Sequence, residues 1–167
     1  VVTVNAGGSL RDTGKVGGLT ANAGGTVGPG MASPAILDSV GDVALHAGST
    51  LNLRLNGTSA GINYDQLKVH GTVTLGGTLN VTAGFGAAVG DTFTLIDNDG
   101  TDDVVGTFAG LPEHASLMVN GRPFQISYGA RGLGGFGRDV NDGTLEAVPA
   151  LSVWDGGGGQ NNSWSTP

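Results

Sequence analysis

One eight-residue stretch occurs twice near the start of the chain and constrains the fold more than any other feature. Thr3–Leu10 is TVNAGGSL and Thr20–Val27 is TANAGGTV, at an offset of 17 residues. Apolar and polar residues alternate within each copy, which is typical of a short strand, and the Ala-Gly-Gly step predicts a corner that only small residues fit. A strand-and-corner unit that recurs every ~17 to 30 residues indicates a β-solenoid, in which each coil stacks on the one before.

The residues around this repeat add detail to the solenoid. Asn5 and Asn22 hold the same place in the two copies, so their amides either form a ladder from coil to coil or merely tolerate a turn. A cluster of Gly and Pro then predicts a loop over residues 28–38. Tyr64–Val69 is expected to begin a further coil, and Gly71–Thr82 is the most regular strand–corner–strand unit.

The character of the sequence changes after Phe85, where aromatic residues become frequent and the coil repeat fades. Strands are predicted over five segments, at 91–96, 104–108, 116–119, 124–128 and 144–148. Asn120-Gly121 predicts a two-residue hairpin turn between two of them. Because the last coil of a solenoid exposes open strand edges, we expect these strands to form an antiparallel cap.

These patterns together predict an all-β chain in three parts. Residues 1–85 are expected to form a parallel β-helix of about four coils. Residues 86–148 are expected to form the C-terminal antiparallel β cap, and residues 149–167 a linker with the start of a following module. The chain starts and stops within its pattern, so we expect it to be a fragment of a longer protein.

Composition narrows the class of function. Glycine supplies 33 of the 167 residues without a collagen-like period, which fits many tight corners between short strands. A net charge of −7 with only 7 Lys and Arg argues against nucleic acid as a partner, because phosphate binding needs clustered cations. No signal peptide or membrane span is visible, and the absence of cysteine means that the fold needs no particular redox compartment.

The order of the motifs resembles the passenger regions of Gram-negative autotransporters and the autotransporter-associated β-strand repeat proteins, which belong to giant bacterial surface polypeptides. The resemblance covers residues 2–148. Its motifs are the paired NAGG(S/T) coils, GTVGPG at 25–30, YDQL at 64–67, GTVTLGGTL at 71–79, GDTFTLI at 90–96, GTFAGLPE at 106–113 and FQISY at 124–128. It implies that the β-helix is right-handed and ends in a C-terminal cap. Segment 129–143 is longer than the short Gly-Gly-Asp-Gly-Asn-Asp turn of such relatives, which is a departure from their pattern.

The resemblance also implies a function and a location. It favours a non-catalytic structural module of a large repetitive protein, secreted by or exposed on the surface of a Gram-negative-type bacterium. Stacked coils would form a stiff rod, a fibre or a surface-layer element. The expected partners are adjacent modules or identical chains, joined end to end or by edge pairing, with no nucleic acid and no direct membrane insertion.

The alternative function is an adhesin or carbohydrate-binding module that binds a glycan along the polar face of the solenoid. Aromatic side chains often stack on sugar rings, and four of them are candidates: Tyr64, Tyr128, Trp154 and Trp164. The competing interpretation is that these rings pack in the core, in the cap or against a further module.

An acidic turn at residues 97–103 is the strongest candidate for a metal site. Its alternating oxygen-bearing side chains are Asp97, Asp99, Thr101 and Asp103. Gly100 would permit the turn, and oxygen ligands of this kind suit Ca²⁺. The other interpretation is a solvated hairpin turn, since Asp, Asn and Gly are common turn residues. A second acidic turn at residues 139–142 has the same two interpretations.

Catalysis has a weaker basis in the sequence. Parallel β-helices include polysaccharide-active enzymes, and the one plausible cluster for such chemistry is Arg54, Asp65 and Lys68 on neighbouring coils. The small number of coils and the lack of long groove-forming loops favour a chain without catalytic activity. His46, His70 and His114 have no Cys, Asp or Glu at ligand spacing, so we interpret them as surface residues, although His46 and His70 could share one face.

Overall fold

The computed structural model of the protein describes residues 1–99, 102, 104–129 and 141–150. Within these residues every regular element is a β-strand, and the strands stack as a β-solenoid. Successive triplets of strands make up the coils. The first coil is β1 (Val2–Val4), β2 (Ser9–Asp12) and β3 (Lys15–Val16), and the second is β4 (Leu19–Ala21), β5 (Thr26–Pro29) and β6 (Ile36–Ser39). The third coil is β7 (Val43–Leu45), β8 (Thr50–Leu55) and β9 (Gln66–Val69), and the fourth is β10 (Val73–Leu75), β11 (Thr78–Ala83) and β12 (Thr92–Asn98).

Four more strands follow the coils. They are β13 (Val104–Gly106), β14 (Ser116–Val119), β15 (Arg122–Ser127) and β16 (Gly143–Ala147).

The three strands of each coil belong to three different sheets. The first sheet has the order β1-β4-β7-β10-β13, the second β2-β5-β8-β11, and the third β3-β6-β9-β12-β16-β15-β14. Coil strands pair in parallel and in register, which places Val2, Leu19, Val43 and Val73 in one row. The prediction of an all-β parallel solenoid is therefore confirmed.

Small residues at the corner between β4 and β5 are required by the close stacking of backbones. Gly24 has a φ of +78°, a conformation that glycine adopts without strain. A Cβ atom on Gly25 would lie 2.5 Å from the carbonyl oxygen of Val4, in the coil before. The repeated Ala-Gly-Gly step is thus the sequence of a corner that rests directly on another corner.

Asparagine side chains reinforce the stacking, as the two Asn residues of the repeat predicted. Asn22 Nδ2 donates to Asn5 Oδ1 at 2.8 Å, so the first two coils carry an amide ladder. A second pair of the same kind lies on the second sheet, where Asn80 Nδ2 donates to Asn52 Oδ1 at 2.7 Å. The ladder interpretation is confirmed over the simple turn interpretation.

The core is a set of apolar rows that run along the solenoid axis. Nine leucines of the described residues are at most 1% exposed in it: Leu19, Leu37, Leu45, Leu51, Leu53, Leu55, Leu67, Leu95 and Leu145. Burying one such side chain contributes about 2 kcal/mol to folding. Inward apolar residues alternate with outward polar ones along each strand, so each of the three sheets has one face in the core.

The last coil is covered by antiparallel strands. β14 and β15 form a hairpin whose two turn residues, Asn120 and Gly121, have φ values of 48° and 74°, as a tight hairpin turn requires. β16 pairs antiparallel with β15 on one side and with β12 on the other. Phe93 lies at the centre of an edge-on aromatic cluster beneath them, with ring centroids 5.4 Å from Tyr64 and 6.0 Å from Phe124.

Two predicted boundaries are wrong. The loop predicted over 28–38 is shorter, because β5 continues to Pro29 in register with β2, and β6 already begins at Ile36. Tyr64–Val69 does not begin a coil, because β9 is the last strand of the third coil and pairs with β6 and β12 in the third sheet. The next coil begins at Val73.

Parallel pairing continues beyond residue 85. β12 pairs with β9 over residues 96–98, and β13 pairs with β10 over residues 104–106. Strands from the predicted cap segment therefore also extend two of the solenoid sheets. The division of the chain at residue 85 stays a prediction, and residues 151–167 lie outside the described part of the chain.

Candidate functional site

The predicted calcium turn begins at the end of β12. Asp97 Oδ2 lies 3.9 Å from Lys68 Nζ, and Asp99 Oδ2 contacts His70 Nδ1. Both described carboxylates therefore face basic side chains, while Thr101 and Asp103 lie outside the described residues. Over 1–99, 102, 104–129 and 141–150, no group of three or more His, Cys, Asp or Glu side chains is arranged to hold a metal ion. Calcium binding at this turn stays a prediction.

Asp142, the last residue of the second acidic turn, lies beside the end of β12, although the two are far apart in the sequence; residues 139 and 140 of that turn lie outside the described residues. Asp142 is buried, and its Oδ1 accepts a hydrogen bond from the backbone N–H of Asn98 at 3.0 Å. Asn98 Nδ2 donates to the carbonyl oxygen of Asp102 at 2.8 Å. These contacts tie the residue before β16 to the end of β12, which gives Asn98 and Asp142 a structural role.

A row of alternating charge runs along the outer face of the third sheet. The register of β3, β6, β9 and β12 places Lys15, Asp38, Lys68 and Asp97 side by side. Lys15 Nζ lies 3.1 Å from Asp38 Oδ2. We call these four residues the charge row. Each exposed pair contributes little by itself, but neighbouring coils in the row never present like charges to each other.

His70 joins this row to the acidic turn. Its Nε2 lies 3.0 Å from Asp38 Oδ1, and its Nδ1 faces Asp99. Both contacts are hydrogen bonds only when both ring nitrogens carry protons. Burial acts to raise the pKa of Asp38, but the hydrogen bond and charge of Lys15, together with His70, outweigh it and hold that pKa below its ordinary value of 3.8.

The three histidines do not form a common site. All three are exposed, as predicted. His46 follows β7 of the first sheet, whereas His70 follows β9 of the third, so the expectation that they share one face is wrong. His114 Nδ1 lies 3.3 Å from Glu113 Oε1 at the cap.

The three residues considered for catalysis lie in two separate parts of the solenoid. Asp65 is 1% exposed, and its carboxylate accepts from Arg54 Nε at 2.8 Å and from Arg54 Nη2 at 3.0 Å. It also accepts from the backbone N–H groups of Arg54 and Ala35, at 2.8 and 2.9 Å. Lys68 lies in the charge row of the third sheet. The three residues therefore do not converge, and Asp65 is held as an anchor for the loop before β6.

The tyrosines considered for stacking on sugars are buried. Tyr64 is 5% exposed within the aromatic cluster, and Tyr128 is 6% exposed. The Tyr128 hydroxyl donates to the carbonyl oxygen of Leu111 at 2.6 Å and accepts from the N–H of Phe108 at 3.1 Å. Burial raises the pKa of Tyr128 to about 12. Neither ring can stack on a ligand, so this part of the expectation is wrong, and Trp154 and Trp164 lie outside the described residues.

The sequence did not predict a shallow trough on the outer face of the second sheet. Its lining includes Arg11, Gly28, Asn52, Arg54 and Asn80, from all four strands of that sheet. Asn and Thr recur two residues apart in Thr50-Leu-Asn52 and Thr78-Leu-Asn80, and this spacing could have indicated a continuous polar face.

No family model matches this chain, and no curated protein sequence matches it significantly. Over the described residues, the structure contains no helix long and apolar enough to cross a membrane.

Proposed function

We propose that this chain is a non-catalytic structural module of a large repetitive bacterial protein, secreted or held on the cell surface. In this role the stacked coils act as a stiff spacer, fibre or surface-layer element. The observation that supports the proposal most is the unbroken register of the coils. Parallel ladders join every neighbouring pair of coils in each sheet, and side-chain ladders run alongside them. A continuous hydrogen-bonded ladder resists bending, because each coil is held on both sides.

The proposal also assigns a partner to the uncovered end of the stack. Among the described strands, β1, β2 and β3 each have a neighbour on one side only. β2 and β3 carry Arg11, Asp12 and Lys15, whereas β1 (Val2–Val4) has no charged residue. Because charged side chains discourage edge pairing, β1 is the edge at which an adjacent module or an identical chain would add a strand.

The spacer role is tested in the parent protein. Replacing residues 1–150 by a Gly/Ser linker with the same number of residues should broaden the distribution of distances between spin labels placed just before and just after the module, because such a linker behaves as a random coil with a root-mean-square length of about 65 Å. Double electron–electron resonance measures that distribution, and antibody labelling of intact cells tests the surface location. An equally narrow distribution for the linker, or labelling that requires permeabilised cells, would overturn the proposal.

Pairing between identical chains is tested by sedimentation velocity. We expect wild-type association that grows with concentration and is lost in Thr3→Lys, which places a charge on β1. Thr74→Lys is the matched control, since Thr74 lies in the same outward row on the interior strand β10. A wild type that stays monomeric at every concentration would exclude identical chains and leave an adjacent module as the partner.

A further inference from the structure

The trough crosses the whole second sheet. Three strand spacings separate Arg11 on β2 from Asn80 on β11, a distance of about 14 Å. Gly28 lies between them on β5 and contributes no side chain. A Cβ atom there would lie 3.1 Å from the carbonyl oxygen of Asn52 on the next strand, so any larger residue would fill the floor. The trough is therefore made by a gap in an otherwise continuous row of side chains.

The trough carries hydrogen-bonding groups that the protein does not use. Within the described ranges, Arg11 makes no ion pair and no side-chain hydrogen bond. Asn80 Nδ2 donates to Asn52 Oδ1, which leaves Asn52 Nδ2 as a donor and Asn80 Oδ1 as an acceptor on the same surface. One guanidinium fork and a paired donor and acceptor thus face the same space.

The local charge is positive, although the chain as a whole has a net charge of −7. Arg54 is neutralised by Asp65, and its Nη2 also donates to the carbonyl oxygens of Pro29 and Ser33. Asp65 is the acidic residue among those that line the trough, and it is fully engaged by these partners. Arg11 is left as the unpaired cation, so the trough favours an anion.

The lining also indicates what carries the negative charge. It contains no aromatic ring, and its two larger apolar residues are Pro29 and Leu53, of which Leu53 is 1% exposed, so it offers little apolar surface to the side chains of a peptide. The interior strands β5 and β8 are paired on both sides and cannot accept an added strand. Amide donors and acceptors side by side suit the neighbouring hydroxyls of a sugar, and a guanidinium suits a carboxylate in bidentate geometry.

We infer that the second-sheet trough is a binding site for a carboxylate-bearing glycan, such as a chain of uronic acid residues. Arg11 binds the carboxylate, and Asn52 and Asn80 bind sugar hydroxyls. Gly28 leaves the floor open for the chain to cross. This site is independent of the spacer role, since the trough could bind a glycan whether or not the module bears load.

The test uses a galacturonic acid oligomer as the probe and isothermal titration calorimetry as the measurement. The uronate oligomer should bind, and a neutral galactose oligomer of the same length should bind at least tenfold more weakly. Arg11→Ala should weaken uronate binding about tenfold or more, the usual effect of losing a charge-assisted hydrogen bond. Gly28→Val should weaken it too, by filling the floor.

Arg122→Ala is the matched control, because it removes an arginine from β15 in the cap, away from the trough. It should leave uronate affinity unchanged, and the melting temperatures of all variants show that they are folded. Equal binding of the two oligomers, no binding of either, or the same loss in Arg122→Ala would overturn the inference. Binding of poly-glutamate as tight as that of the uronate oligomer would also overturn it, by assigning the trough to acidic peptides.

Discussion

A single buried carboxylate organises the widest part of the second coil. Asp65 accepts hydrogen bonds from the Arg54 side chain and from two backbone N–H groups, one of them on Ala35. Arg54 in turn donates to the carbonyl oxygen of Pro29, just before the loop over 30–35, and to that of Ser33 within the loop. Two of the three residues that the sequence indicated for catalysis, Arg54 and Asp65, therefore hold this loop against the solenoid.

Removing this carboxylate should be costly. Asp65→Ala leaves Arg54 without a counter-charge and two buried N–H groups without acceptors, so we expect a loss of about 3 kcal/mol in the free energy of unfolding. Urea denaturation measures the difference. Asp102→Ala is the control, because Asp102 is exposed, and its change should be within about 0.5 kcal/mol. Equal effects from the two variants would contradict the anchoring role of Asp65.

The pKa of Asp38 gives the protein an acid-sensitive contact. Because the folded state lowers this pKa below 3.8, the stabilisation is fully present above the unfolded value and is lost as the pH falls through the folded value. We expect Asp38→Asn to lower stability at pH 7 and to reduce the difference from wild type towards pH 3. Melting temperatures between pH 3 and 7 measure this convergence. Parallel curves for the two proteins would show that Asp38 has no linkage to folding.

At the scale of the element, the corners tolerate fewer residue types than the strands do. Gly25→Ala places a Cβ atom against the Val4 backbone, so the stacked corners must separate, and we expect a destabilisation of about 2 kcal/mol. Gly86→Ala is the matched control, since a Cβ atom there meets nothing within 4 Å. Thermal denaturation compares the two variants. A Gly25→Ala protein as stable as the control would mean that the corners do not bear on one another.

The sequence was sufficient to predict most strands and corners, but it did not show which sheet each strand joins. Period-two alternation shows that a segment is a strand with one buried face, yet all three sheets share that alternation. The pattern therefore predicts the start of a coil at Tyr64–Val69, although β9 ends one. The Gly and Pro at 28–30 predict a loop, because such residues break isolated strands. Here the ladder with β2 keeps Gly28 and Pro29 extended.

The candidate sites were harder to predict than the fold, because they depend on contacts between coils. The acidic turn at 97–103 was visible, but its pairing with Lys68 and His70 follows only from the register of β9 and β12. The trough depends on a missing side chain at Gly28 between Arg11 and Asn52, residues that lie on three different coils. The amino-acid sequence alone does not show which residues of different coils lie side by side, because that depends on the register between the coils.

At the scale of the whole molecule, the two ends of the stack differ in how much of the terminal coil is covered by other strands. The fourth coil is covered by β14–β16 and by the aromatic cluster around Phe93. The first coil has neighbours on one side only, so it can open without breaking contacts on both faces. We expect amides of β1–β3 to exchange with deuterium sooner than those of β7–β9. Exchange followed by mass spectrometry measures this order, and earlier exchange of the cap would contradict it.

The charge row has a consequence for how such a protein can change its length. Solenoids lengthen and shorten when the gene gains or loses whole coils. Loss of the second coil alone would place Lys15 next to Lys68, whereas loss of the second and third together would place Lys15 next to Asp97 and keep opposite charges adjacent. Removing or adding coils in pairs therefore keeps opposite charges adjacent along the charge row, whereas removing a single coil does not.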